Sequence, residues 1–475
     1  MTSKIDKIKR SMYPAASALI ITIMGIVQIL FFEKIPINDG LGYDGAIYAD
    51  MVKNAGALFS FKKSSDYYAA RVAPSLIVKG MLAITRTEIT NRTIATGFGV
   101  FNLVLLILAA VFWGRIADEV GLRIYNKWLG FVFLFINFGL LKMTWYYPVL
   151  TDPAAFALSM LLLYAYLKRS SVGVVFCGLV GAFLWPTIVY YAVILYVFPR
   201  NIVPIKTENG RLHYVVFGAV ALTLLAIIVR YFWLRGMHTA GAGTQSARIE
   251  TLPISIIGLL LYLYFAYSHL LKNISVRNVS FLILPKTLCK IAIIAILFFS
   301  LNAIMHHSVV KGGFGIKQVM VAIVISSILN PFIFLVAHAL YFGPIVLFAI
   351  VWFKDVARAA QEYGLGMVAL FAATIPLTVF SESRCCIAFF PFVAVFTMLF
   401  LERRRMRMKW SISAAVITVL SSKLWLPIGM NEDLYFMNFG PWMPEKWYWL
   451  QAALVAAIAG GMLYLRKTKK IFITE

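Results

Sequence analysis

Apolar residues come in runs of about 20 from one end of the chain to the other, separated by short polar segments. A run of that length crosses the ~30 Å hydrocarbon core of a bilayer as a helix. Runs near 13–32, 94–113, 128–145, 153–167, 214–233, 252–271, 288–305, 329–352, 361–380, 386–401, 411–429 and 448–465 predict transmembrane helices. The stretch 172–198 is interrupted at Trp185–Pro186 and reads either as one kinked crossing or as a re-entrant pair of short helices. Residues 318–328 are apolar but too short to cross, which suits an outer re-entrant or interfacial segment. The pattern predicts an all-α polytopic bundle of about 12–14 helices in a single domain, 1–475. The one long polar interruption is 33–92, in which Met51–Ser60 and Pro74–Ile84 are expected to lie as interfacial helices.

Charge orients this bundle. Lys4, Lys7, Lys9 and Arg10 precede the first run, against a single acid, Asp6. Lys and Arg collect in cytoplasmic loops, so the N-terminus is expected inside and 33–92 outside. No small-residue cleavage site follows the first run, which reads as a retained helix. The cluster Arg403, Arg404, Arg405, Arg407 and Lys409 falls inside only if 172–198 turns back on itself, which favours the re-entrant pair. Arg466–Lys470 then places the C-terminus inside as well.

Composition agrees: of 475 residues, 61% are hydrophobic and 13% charged, with a mean hydropathy of +0.84. No polar stretch is long enough for a separate soluble domain. The net charge of +24 would suggest nucleic acid in a soluble protein; here it is accounted for by cytoplasmic loops and anionic lipid, and no nucleic-acid partner is expected. The four cysteines form no metal-ligand spacing, and Cys385–Cys386 are adjacent. His306–His307 is a weak metal signal. Trp442, Trp447, Tyr448 and Trp449 read as an aromatic belt. The sequons at Asn273 and Asn278 fall on the inner side.

Candidate chemistry gathers on the outer side. The first loop contains Asn38-Asp39-Gly40-Leu41-Gly42-Tyr43-Asp44-Gly45 and, further on, Tyr67-Tyr68 and Arg71. Glycines about Asp44 permit a tight turn and close approach to a ligand. If a helix starts here, Tyr48 lies on the same face as Asp44. Asp44 reads equally as that helix's cap. Thr151-Asp152-Pro153 opens a later helix, with Asp152 as its N-cap and Pro in the first turn, on the same membrane side as Asp44. Ser381-Glu382-Ser383-Arg384 closes another outer end, where Arg384 either snorkels to the headgroups or pairs with a phosphate.

Gly42-Tyr43-Asp44-Gly45 with Tyr48, Arg71 and Pro74 resembles the first-loop signature of bacterial membrane proteins in the GT-C glycosyltransferase superfamily. Thr151-Asp152, Lys168-Arg169, a short apolar hairpin and Trp185-Pro186 are similar to that superfamily's second acidic motif and the hairpin after it. Ser383-Arg384 with Pro391 resembles its late Arg-containing helix. The likeness covers the first 200 residues best. It implies a mannosyltransferase-like enzyme of the bacterial inner membrane. Such an enzyme moves a sugar from a polyprenyl-phosphate carrier to a saccharide, lipid or protein acceptor on the extracytoplasmic face.

By the resemblance, Asp44 is the general base and Asp152 the second acid, orienting the acceptor or a divalent metal. Arg71 and Arg384 meet the phosphate, and Tyr43, Tyr48 and Glu382 help to bind substrate. The chain departs from the pattern in carrying Cys385-Cys386 where an aromatic residue is common, and Asp-Pro where Glu is common. Two other readings fit the hydropathy. A flippase or transporter for a lipid-linked saccharide calls for internal repeats and midplane polar residues, of which only Arg230 and Lys423 come near. A polysaccharide polymerase or ligase more often has its large loop late in the chain.

Overall fold

The computed structural model describes residues 4–54, 68, 70–200, 211–238, 246–272, 274, 285, 288–293, 296–297, 300, 316–424, 440, 443, 445–468 and 472. Among these the protein is helical, with an isolated bridge between Met406 and Phe472 and no strand.

Five helices are long and apolar enough to cross a membrane. They lie within α1 (Lys4–Phe31), α4 (Asn91–Glu119), α9 (Leu212–Ile228, continued as a π-helix over Val229–Trp233), α10 (Leu252–Leu271) and α18 (Glu445–Lys467). Between them in the chain come α2 (Gly42–Lys53), α3 (Val72–Ile84), α5 (Ile124–Phe135), α6 (Asp152–Leu167), α7 (Ser171–Leu184) and α8 (Thr187–Val197). Later come α11 (Ile316–Ser327), α12 (Ile333–Phe342), α13 (Ile345–Val351), α14 (Phe353–Glu362), α15 (Leu365–Thr374), α16 (Phe390–Arg403) and α17 (Met408–Ser421).

The expected 12–14 crossings therefore do not appear as full-length helices among the described residues. The count is five, or six if α5 and the segment Phe138–Tyr146 form one span bent by 57°. The remaining apolar sequence is divided into shorter helices at identifiable breaks. Gly343, at φ +81°, and Pro344 split the run predicted over 329–352. Gly364, at φ +102°, separates the amphipathic α14 from α15. At the 57° bend, Asn137 donates to the carbonyls of Phe133 and Leu134 (2.9 and 3.0 Å) and accepts from Leu140 N–H (3.0 Å), so its side chain satisfies backbone groups that the break frees. The run predicted over 288–305 and the histidines at 306–307 lie largely or wholly outside the described residues, as do most of 51–60, Trp442 and both sequon asparagines.

The short helices are the core. Every residue of α6 except Leu161 and Tyr164 is buried, and α16 is buried from Phe390 to Leu401 apart from Val393. A helix that is apolar all round needs partners on every side. Of the long helices, α1, α9 and α18 lie toward the outside and expose apolar side chains such as Leu30, Phe31 and Leu222, as lipid-facing helices do, while α4 is half buried. α4 packs on α1, α3 and α6, and α6 on α7.

Segment 172–198 is a hairpin. α7 and α8 pack on one another so closely that a Cβ at Gly178 or Gly181 would sit 3.0 Å from Ala192 or Ile188. Arg200, after the hairpin, donates to the carbonyl of Leu167, before it, at 2.6 Å. Both ends of the pair thus return to the same end of the bundle.

That end carries most of the basic loops. Glu119 pairs with Lys168 (2.7 Å) and Arg200 (3.3 Å), Arg123 with Glu402, Lys127 with Asp118, Arg403 with Glu362 (2.9 Å) and Arg404 with Asp355 (3.2 Å). Tyr13 of α1 donates to the carbonyl of Lys127, and Arg466 of α18 to that of Val351. The first and last spans begin and finish there. The opposite end gathers the first loop, residues 143–152 and residues 381–386, joined by Ile35 N–H donating to the carbonyl of Tyr146 (2.8 Å) and by an Arg384–Asp44 ion pair.

Candidate functional site

The chain enters the site through a turn built on left-handed backbone. Asn38, Asp39, Gly40 and Gly42 all have positive φ, and the Asn38 amide closes the turn on the carbonyl of Gly42 at 2.9 Å. Gly42 cannot be replaced without strain: its φ is +69°, and a Cβ would lie 2.4 Å from the Tyr147 ring. The ring packs there, and its hydroxyl accepts from Gly45 N–H at 3.3 Å. Burial pushes the Tyr147 phenol above its ordinary range, the charge of Asp44 adding to the effect.

This turn launches α2 with Asp44 in its first turn. The N-cap is Leu41, without a side-chain cap, so Asp44 does not cap the helix. Its carboxylate instead accepts from Tyr68 Oη at 3.0 Å and pairs with Arg384 at 3.2 Å. Arg384 lies in a 3₁₀ turn, Ser383–Cys386, and its Nε bonds Glu382 as well. The snorkelling reading of Arg384 fails. Its side chain is 16% exposed, and the two carboxylates it bridges are 26% (Asp44) and 15% (Glu382) exposed.

One turn along α2 from Asp44, Tyr48 is buried against Arg71 and meets Tyr68 edge-on, with ring centroids 5.6 Å apart. Burial raises the Tyr48 phenol, while the Arg71 cation and its hydrogen bond oppose the rise. The Arg71 guanidinium lies 4.1 Å above the Trp185 ring, at the tip of the α7–α8 hairpin. An Arg on an indole face gains cation–π attraction, more so when shielded from water.

Asp152 reaches the same place from α6. It is the first residue of that helix, whose N-cap is Thr151, so Asp152 does not take the expected N-cap position. Its Oδ1 is buried without a hydrogen-bond partner. Asp152 lies at the tip of α6, outside the candidate spans. Burial pushes its carboxyl up to about 6, against the pull of the Arg384 and Arg71 cations and with a further push from Glu382. An acid in the midst of two arginines still has a raised pKa here because burial outweighs them.

No protein family, curated protein or solved structure matches this chain.

Of the residues singled out in the sequence, Asp44, Asp152, Tyr48, Arg71, Glu382 and Arg384 come together. Tyr43 does not: it is 54% exposed on the outer side of α2. The adjacent Cys385 and Cys386 are free thiols. Among the described residues no three His, Cys, Asp or Glu side chains group as metal ligands, and Asp44 and Glu382 are engaged by Arg384. These residues do not fit a divalent metal as arranged.

The structure adds residues that sequence reasoning passed over. Tyr68 and Trp185 stand in the sequence motifs without a role, and the structure gives each one: Tyr68 donates to Asp44 and Trp185 lies under the Arg71 guanidinium. Ser383 accepts or donates at 2.9 Å to Nδ1 of the buried His338 on α12, whose Nε2 bonds the carbonyl of Thr378 at 2.8 Å. Since a carbonyl only accepts, Nε2 carries the proton, and Nδ1 accepts from the Ser383 hydroxyl. That pair tethers the turn holding Arg384. A lone His in an apolar run gave no sign of it.

Proposed function

We propose that the protein is a membrane glycosyltransferase of GT-C type, moving a sugar from a polyprenyl-phosphate carrier to an acceptor hydroxyl at the extracytoplasmic face of a bacterial inner membrane. The observation that carries this reading is the convergence of two acids and two arginines at one end of the bundle. They come from positions 44, 71, 152 and 384, and the end is opposite the basic loops. By the positive-inside rule the basic end is the cytoplasmic one, and a cluster facing the outer side with both termini inside is the arrangement this reading needs.

The chemistry needs a proton acceptor for the hydroxyl and cations for the departing phosphate. Asp44 is the base and Arg384 the phosphate ligand. While Asp44 holds Arg384 its carboxylate is occupied by the guanidinium. A donor phosphate gives Arg384 another anion to hold and frees the carboxylate. The acceptor oxygen then loses its proton to Asp44 and bonds the anomeric carbon, and the anomeric carbon–phosphate oxygen bond breaks. Polyprenyl phosphate leaves on Arg384 and Arg71. Asp152, buried beside both arginines, orients the acceptor.

The test is Asp44→Asn, which keeps size and most hydrogen bonding but cannot take a proton. Glu382 still neutralises Arg384 in the variant, so it is expected to fold. Transfer from a polyprenyl-phosphate sugar should fall by roughly 10²-fold or more, the scale of a lost general base. Donor affinity should hold or tighten, since an anion has been removed beside a phosphate ligand. Near-normal transfer by a folded Asn variant would remove Asp44 from the mechanism.

A further inference from the structure

The basic end of the bundle contains a cavity of about 490 Å³ between α9, α10 and α14, far from the Asp44 cluster in the chain and at the opposite end of the helices. His213 from the start of α9, His269 and Lys272 from the end of α10, and Lys354, Arg358 and Gln361 from α14 line it. Among the described residues no carboxylate lines it. Arg358 is 3.8 Å from Asp355, which is itself held closer by Arg404 at 3.2 Å. Lys272 and Lys354 have no acidic partner among the described residues. Three fixed positive charges about one polar cavity repel one another until an anion enters, and the two imidazoles add hydrogen-bonding groups to its wall.

Position narrows the anion. The cavity adjoins the ends of two candidate spans, Leu212–Trp233 and Leu252–Leu271, and so sits at headgroup depth. Tyr214 and Tyr264, also in its lining, are 56% and 41% exposed on the outer faces of these spans, where acyl chains lie. On its third side stands α14, which buries Val356, Ala357, Ala359 and Ala360 and turns Lys354 and Arg358 outward, as an interfacial helix does. The cavity is therefore open to lipid on one side and lined with cations on the other.

We propose that this cavity holds the phosphate of an anionic phospholipid headgroup. Phosphate is the shared chemistry of a lipid and of the free ion, and the lipid-facing tyrosines favour the lipid. This site is independent of the transferase reading, which concerns the other end of the molecule.

The full-length protein, delipidated in non-ionic detergent, would be titrated with phosphatidylglycerol, with phosphatidylcholine of the same chains, and with inorganic phosphate, binding being read by thermal stabilisation. Phosphatidylglycerol should bind saturably and phosphatidylcholine much more weakly. The variant Lys272→Gln/Lys354→Gln changes only exposed side chains and should fold. It should bind phosphatidylglycerol about 25-fold more weakly, ~5-fold for each cation lost near the membrane surface. Lys272→Arg/Lys354→Arg should bind as the wild type does. Equal binding of the two lipids, undiminished binding by the Gln variant, or loss of binding in the Arg variant would overturn the proposal. Inorganic phosphate binding as tightly as phosphatidylglycerol would overturn the lipid assignment in favour of a free-phosphate site.

Discussion

Arg384 is the centre of the charge cluster, and Arg384→Gln is the change that tests it most directly. The side chain bridges Asp44 at 3.2 Å and Glu382, and its charge also reaches Asp152. At an effective dielectric of about 20, attraction across 3.2 Å is about 5 kcal/mol, before the desolvation of both partners is subtracted. Removing the cation leaves Asp44 and Glu382, 26% and 15% exposed, close together with Arg71 as the remaining nearby cation. Stranding a charge in this way typically costs about 3–5 kcal/mol when fully buried; partial exposure brings the expected loss toward ~3 kcal/mol. Chemical denaturation in mixed micelles would measure it. The double variant Asp44→Asn/Arg384→Gln carries the sharper expectation. Since Asn leaves only Glu382 to be stranded instead of two carboxylates, the second substitution should cost less in this background, with a coupling of about 1–2 kcal/mol. Strict additivity, or an Arg384→Gln variant as stable as the wild type, would refute the bridge.

The same geometry sets other outcomes. Asp152 has a folded pKa of about 6 against 3.8 for the free side chain, so the unfolded chain releases its proton first. Stability should fall as pH rises from about 4 to about 6, by on the order of 3 kcal/mol; denaturation of Asp152→Asn should lack that slope, and an unchanged slope would place the titration elsewhere. Gly42→Ala should destabilise by more than ~1 kcal/mol, because φ +69° strains any L side chain and the new methyl meets Tyr147; a melting temperature equal to wild type would contradict the turn as described. Single cysteines at exposed Asp50 and exposed Arg405, in a background without the four native cysteines, should react with impermeant reagents from opposite sides of the membrane, and labelling from one side would break the topology.

Hydropathy by itself determined that the chain is helical and apolar enough for a membrane, because each long apolar run must satisfy its own backbone hydrogen bonds in lipid. It left 172–198 open between a kinked crossing and a re-entrant pair; the charge of 403–409 favoured the pair, and the structure shows a hairpin broken at Trp185–Pro186. It overcounted the spans, because an apolar run reads the same whether it faces lipid or is buried in protein; α6 and α16 are core, and the breaks at Gly343 and Gly364 depend on backbone angles that composition does not show. Asp44, Asp152 and Arg384 were legible as unusual charges at helix ends. Their union was not, since ion pairing over 340 residues of separation has no local signature. Local spacing suggested caps for Asp44 and Asp152, and tertiary contact took both side chains elsewhere: Asp44 to Arg384 and Tyr68, Asp152 into a buried position between two arginines. Tyr43 and Tyr48 show the limit most plainly. Both are tyrosines of α2 beside the same acid, and only the packing of Arg71 and Tyr68 against one face of that helix decides that Tyr48 is inside and Tyr43 is not.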